Sequence, residues 1–319
     1  MNNLCNLSTH ADRMCRRKDQ IMGVKFRNYN KELGCSRDYF KVREFLFQKK
    51  DIGYPFGRFD WMITHSYLDA DSLDQIGIWE EDDKMIGAAL YDCQLGNAYC
   101  LALDGYEYLK EEMFFYAKDH LAKKDDFNMV IADEDSEYQE ILAKHGFIPT
   151  QHTEHNAIFD METTPMDYTL PEGFYIVSMK EDYNPHHYLQ VLWKGFNHEL
   201  DGEGEFEFTQ GKKEMVDCEM IRPNVDLDLK IAVVAPNGDF VSYCGMWYDT
   251  ASESALVEPV ATDPAYRKMG LGKAAVLEGV RRCYERGAKN AYVGSNQQFY
   301  YNIGFRPKKM YTLWKMHER

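Results

Sequence analysis

Three stretches in the last quarter of this 319-residue sequence carry side chains able to do chemistry. The first is Arg267-Lys268-Met269-Gly270-Leu271-Gly272-Lys273, which lies between an apolar run and a helical pattern. Its glycines let the backbone approach a ligand, and the following helix offers free N–H groups and a partial positive charge. Arg267, Lys268 and Lys273 add full charges, so this loop suits a pyrophosphate or similar anion. The second is Glu258, a carboxylate between Val257 and Pro259. A strand carboxylate in such company is expected to face a cleft, where partial burial raises its pKa towards that of a useful base. Pro259 lacks an N–H and marks a bulge or a ladder interruption. The third is Phe299-Tyr300-Tyr301-Asn302-Ile303-Gly304-Phe305, which sets two phenols on a short helix.

Several glycine loops hold phosphates, and spacing separates them. A Walker loop needs Gly where this chain has Arg267, and Ser or Thr where it has Ala274. Gly270-x-Gly272-x-x-Ala275 could pass for a dinucleotide fingerprint, but the place of the ribose-binding acid holds Asn290, and too little chain follows for a Rossmann sheet. Arg267-x-x-Gly270-x-Gly272 after a strand, followed by the Phe299–Phe305 motif, resembles the GNAT superfamily of acyl-CoA N-acyltransferases. The resemblance is specific over about residues 228–315 and weaker upstream. It implies Tyr300 as the acid that protonates the leaving thiolate, with Tyr301 ranked second, and Glu258 as base. It also implies acetyl-CoA as acyl donor, held by Val260, Ala261, Thr262, the 267–273 loop, Asn296 and Tyr300. No metal is implied. The C-terminal carboxylate of Arg319 is a rival base, since some tandem relatives use their chain end.

The elements that must position these residues form a pattern that occurs twice. In the second occurrence, strand-like runs at Phe174–Met179, Asp228–Val234 and Phe240–Trp247 precede the glycine loop. Helical spacing marks Tyr188–Phe196, and Glu205–Ile221 reads as one or two short helices. A helix after the loop, a strand at Asn290–Val293, a helix at Gln297–Ile303 and a last strand at Lys309–Lys315 follow. The same order runs upstream, from a strand at Ile21–Arg27 and a helix at Ser36–Gln48 to Phe147 and Ala157–Met161, which begin and end the last strands. Gly146-Phe147-Ile148-Pro149 matches Gly304-Phe305-Arg306-Pro307. This predicts an α/β (α+β) fold of two tandem GNAT-like domains, each a mixed, mostly antiparallel sheet flanked by helices. The expected division is 1–161, a polar Pro-bearing linker at 162–172, and 173–319. The copies are unequal. In place of the glycine loop the first has Leu103-Asp104-Gly105-Tyr106-Glu107-Tyr108-Leu109-Lys110, whose acids would repel a pyrophosphate, and Leu142 stands in place of Tyr300. The first copy is therefore expected to be degenerate, walling the acceptor cleft of an active second copy.

A net charge of −15 argues against a nucleic-acid partner. The eight cysteines are scattered without C-x-x-C pairs, which suggests reduced thiols and a cytoplasmic protein. Cys5, His10 and Cys15 match no common zinc spacing, and no stretch approaches 18 apolar residues, so neither a metal nor a membrane is expected. His198, Glu199, Asp201, Glu203, Glu205 and Glu207 form an acidic run suited to steering a cationic amine, or simply a solvated loop. His186-His187 reads as a helix start rather than a metal ligand pair. The function expected is acetyl transfer to a primary amine of a small molecule, by a monomer or homodimer. The alternatives are transfer to a protein or peptide amine, and a non-catalytic acyl-CoA-binding module.

Overall fold

The computed structural model describes residues 23–32, 34–124 and 126–317. The strand start expected at Ile21, together with Cys5, His10, Cys15 and Arg319, lies outside the described residues. The first half runs β1 (Val24–Asn28), α1 (Arg37–Lys49), α2 (Phe56–Thr64), β2 (Gly77–Glu81), β3 (Lys84–Asp92), β4 (Gln94–Ala102), α3 (Lys110–His120), β5 (Asn128–Ala132), α4 (Ser136–Lys144) and β6 (Phe147–Asp160). The second runs β7 (Tyr175–Ser178), α5 (Pro185–Gly195), α6 (Gln210–Met220), β8 (Lys230–Val234), β9 (Phe240–Trp247), β10 (Ser254–Thr262), α7 (Leu271–Glu285), β11 (Asn290–Val293), α8 (Gln298–Asn302) and β12 (Arg306–Met316).

Local sequence accounts for most of these ends. Ser36 caps α1 by accepting the Tyr39 N–H, and Asp135 caps α4 by accepting that of Tyr138. Gly287, at φ +104°, follows the end of α7. All eight residues of β9 are buried, since α5 and α7 both pack on that strand.

The strands make one mixed, mostly antiparallel sheet in the order β1-β2-β3-β4-β5-β12-β6-β11-β10-β9-β8-β7. Only β4–β5 and β10–β11 pair in parallel among the described residues. The two halves exchange their last strands. β12 pairs with β5 of the first half, and β6 pairs with β11 of the second, while β6 and β12 pair with each other along the join. Tyr311 and Trp314 of β12 are therefore buried in the first half's core, whereas Ala157 and Phe159 of β6 are buried in the second's. The Tyr311 hydroxyl accepts from the Gly53 N–H (2.9 Å) and donates to Asp51 (3.0 Å), fixing β12 to the loop that leads into α2.

Candidate active site

Glu258 and Pro259 interrupt β10. The strand pairs with β9 up to Val257 and resumes at Val260, with a register shift between. The bulge needs Gly245 opposite it, because a Cβ there would lie 2.4 Å from the Glu258 carbonyl oxygen. Trp247 Nε1 donates to that same oxygen (3.0 Å) and fixes the strand where it bends. On its other side β10 pairs with β11 only from Ser254 to Leu256. β11 ends at Val293, so residues 257–261 of β10 have no strand partner on that side. An extended chain carrying amides could add to such an edge as a strand does.

At the end of β10, Asp263 caps a short turn by accepting the Ala265 N–H (2.9 Å), and the glycine loop follows. Gly270 takes φ +83°, the left-handed conformation that starts α7, and open space surrounds the place of its missing side chain. No side chain caps this fifteen-residue helix, so its first N–H groups have no side-chain acceptor. Arg267 is engaged with its own chain. Its guanidinium donates to Gly195 O (2.9 Å), Asn197 Oδ1 (2.7 Å) and Thr262 O (3.2 Å), so it braces the loop against the end of α5. In the first half the corresponding place is filled from within. The Gly105 N–H donates to the carboxylate of Glu107.

Two cavities meet at Glu258 and Trp61. The larger, about 410 Å³, runs between the halves, with Arg58 of α2, Glu154 of β6 and the loop Gly294-Ser295-Asn296-Gln297 on its walls. The smaller, about 190 Å³, is enclosed by Trp61, Thr64 and His65 from the first half and by Tyr188, Tyr243, Trp247, Glu219 and Lys230 from the second. Burial drives the Glu258 carboxyl up to about 7. Arg58 and Lys230 oppose the rise and Asp92 adds to it, with no hydrogen bond contributing. Arg58 is itself held by Asp92 (2.7 Å), Glu154 (2.9 Å) and the Tyr99 hydroxyl (2.6 Å).

Tyr300 is buried on α8, edge-on to Phe299 and Phe305. Burial raises its phenol pKa, with Cys244 and Glu258 adding to the rise, so the hydroxyl stays protonated at neutral pH. Glu258 and Tyr300 are thus near enough to feel one another. The acidic run is a loop between α5 and α6 that lines neither cavity. Within it His198 pairs with Glu203 (2.9 Å) and stacks on Trp193. The acid that α6 does supply is Glu219, which accepts the Ser66 N–H (2.9 Å) and whose pKa burial raises. His186 and His187 open α5 against Phe208 and Phe240.

Sequence reasoning missed α2, which contributes Arg58, Trp61 and Thr64, and it missed Lys230 and Glu219. The one signal for Lys230 was a lysine opening the otherwise apolar run Lys230–Val234. Among the described residues no group of three or more His, Cys, Asp or Glu side chains is set to hold a metal. Nor is any described helix long and apolar enough to cross a membrane. The six described cysteines are free thiols, four of them buried.

Residues 193–305 match the sequence model of the Acetyltransferase (GNAT) family. A comparison with curated protein sequences gives no match. Among solved structures, a tandem GNAT protein from the clavulanic acid biosynthesis pathway superposes with a TM-score of 0.58 at 13% identity, covering 91% of this chain and 97% of that one. A GCN5-related N-acetyltransferase from Sphaerobacter thermophilus superposes with a TM-score of 0.55 at 15% identity, covering 92% and 96%. These likenesses show the fold, and they extend over both halves of the chain.

Proposed function

With residues 193–305 forming a GNAT acetyltransferase-family domain, we propose that this chain moves an acetyl group from acetyl-CoA to a primary amine of a small molecule, at one site in residues 173–319. The observation that carries this reading is Glu258, a carboxyl with a pKa of about 7 at the meeting of two cavities, where β10 runs on past its pairing with β11. Acetyl-CoA supplies the activated thioester. The free edge at Val260, Ala261 and Thr262 holds the amide-bearing arm, with Asn296 on the facing loop. The N–H groups of Lys268, Met269, Gly270, Leu271, Gly272 and Lys273 hold the pyrophosphate, and Arg267 keeps that loop in place. Glu258 takes a proton from the incoming ammonium, and Tyr300 returns one to the departing sulfur.

The first half acts as a wall and carries no donor site. Glu107 already occupies the amide that a phosphate would need there. The small volume of the smaller cavity, walled on one side by Trp61, Thr64 and His65, favours a small acceptor over a protein side chain. A thiol-release screen of primary amines with acetyl-CoA tests the reading. Release with at least one amine, lowered about 10²–10⁴-fold near neutral pH in Glu258→Gln, is expected. Binding of acetyl-CoA without release for any amine would make the chain a binding module instead.

A further inference from the structure

The mechanism above leaves one side chain without a task. Lys230 is 3% exposed, yet it lies on the wall of the smaller cavity. Its ammonium donates to Met246 O (3.1 Å) and sits 3.6 Å over the Trp247 ring. It forms no ion pair among the described residues; two nearby carboxylates are held by arginines, and Glu258 feels its charge without bonding to it. Asp60 is held by Arg43 (2.8 Å) and by the Tyr39 hydroxyl (2.6 Å). Asp226 is held by Arg286 (2.6 Å). Glu219, across the cavity, takes the Ser66 N–H (2.9 Å). A buried lysine with one carbonyl and one aromatic face costs stability unless something else brings the counter-charge.

On the same 190 Å³ cavity stands a second unpaired group of opposite sign, the Glu258 carboxyl. Both groups line the space that a small molecule in this cavity would occupy. Its ammonium would face Glu258, and the charge that suits Lys230 is an anion. Tyr188, Tyr243 and Trp247 supply apolar wall between the two ends.

We propose that Lys230 anchors a carboxylate on the acceptor, so that the amine acetylated is that of a small amino acid rather than a simple alkylamine. The inference rests on the acetyl-transfer reading and narrows its substrate class. Burial pushes the Lys230 ammonium down to about 7, and an adjacent carboxylate would restore its charge.

Matched pairs test this. Amino acids are assayed beside their decarboxylated amines, such as phenylalanine with phenethylamine and lysine with cadaverine, in the full chain with acetyl-CoA. The amino acid of a productive pair should exceed its amine in kcat/KM by about tenfold to a hundredfold, the worth of a hydrogen bond to a charged group. Lys230→Met keeps the volume and removes the charge. It should erase that preference through KM and raise the melting temperature of the free protein, whereas the shift it causes in the Glu258 midpoint should move both members of a pair alike. Equal turnover within every pair, or an equal loss on both members in Lys230→Met, overturns the inference and leaves acetyl transfer standing. A lower melting temperature in Lys230→Met also overturns it, because the lysine would then be a packing residue. Absence of turnover with every amine, alongside acetyl-CoA binding, removes the acetyl-transfer reading and this inference with it.

Discussion

Glu258→Gln tests whether the buried carboxyl is the base, and it does so through stability as well as rate. Moving a carboxyl from its ordinary 4.5 to about 7 corresponds to about 3 kcal/mol between its two protonation states. The folded protein holds this proton more tightly than the unfolded chain does. The group's contribution is therefore complete below about pH 4.5 and is lost as pH rises through about 7. Glutamine keeps the shape and never ionises, so the substitution should change stability little near pH 5 and raise it by up to about 3 kcal/mol near pH 8.5. Melting curves of both proteins at the two pH values read this. The rate should move the other way. Wild-type kcat/KM should rise through about pH 7, whereas the variant should lose about 10²–10⁴-fold near neutrality and recover part of it only as free amine appears towards pH 10. The groups facing Glu258 are Arg58, Asp92 and Lys230, so the observed midpoint belongs to that set. An equal stability difference at both pH values would refute the burial argument. An unchanged pH–rate curve would remove Glu258 as the base. If deletion of residues 317–319 then abolished activity, the base would belong at the chain end.

Tyr300→Phe should lower kcat by about 10²–10⁴-fold with acetyl-CoA affinity nearly unchanged, since the hydroxyl matters when sulfur leaves. If Tyr301→Phe shows that loss in its place, the acid is misplaced by one residue. Gly245→Ala should damage activity far more than acetyl-CoA binding, because its Cβ would press on the Glu258 carbonyl and flatten the bulge; steady-state kinetics beside calorimetry distinguish the two effects. Residues 173–319 expressed alone should aggregate, as β11 loses β6 and β12 exposes Tyr311 and Trp314. Co-expression with residues 1–172 should restore a soluble complex, whereas a soluble, cooperatively melting fragment would show that strand exchange is dispensable.

Punctuated elements were legible in the sequence. Asp263-Pro264, Gly270 and Gly287 frame β10, the loop and α7, and the structure places all three as the turn chemistry requires. The duplicated order was legible too, because each copy alternates strand and helix with the same closing Gly-Phe pair. α2 was not legible. In Phe56-Gly57-Arg58-Phe59-Asp60-Trp61-Met62-Ile63-Thr64 almost every residue is buried, including the ion-paired Asp60, so no polar face marks a helical period. β6 was read as two ends because its middle, Thr150 to His155, is polar. That stretch lies along the join, where β12 pairs with it. Strand exchange is a long-range choice that no local window records. The fate of Arg267 is likewise partly tertiary, since two of its acceptors, Gly195 O and Asn197 Oδ1, lie some seventy residues away at the end of α5. For the acidic run, the solvated-loop alternative describes what the structure contains.

A calorimetric titration of acetyl-CoA into the intact chain and into Gly270→Glu bears on whether the free edge of β10 and the α7 N-terminus make a single donor site. One acetyl-CoA per chain is expected, with affinity about tenfold or more weaker in the variant, where a carboxylate enters the open space around the helix start. Two equivalent sites per chain, or an unchanged affinity in Gly270→Glu, would contradict it.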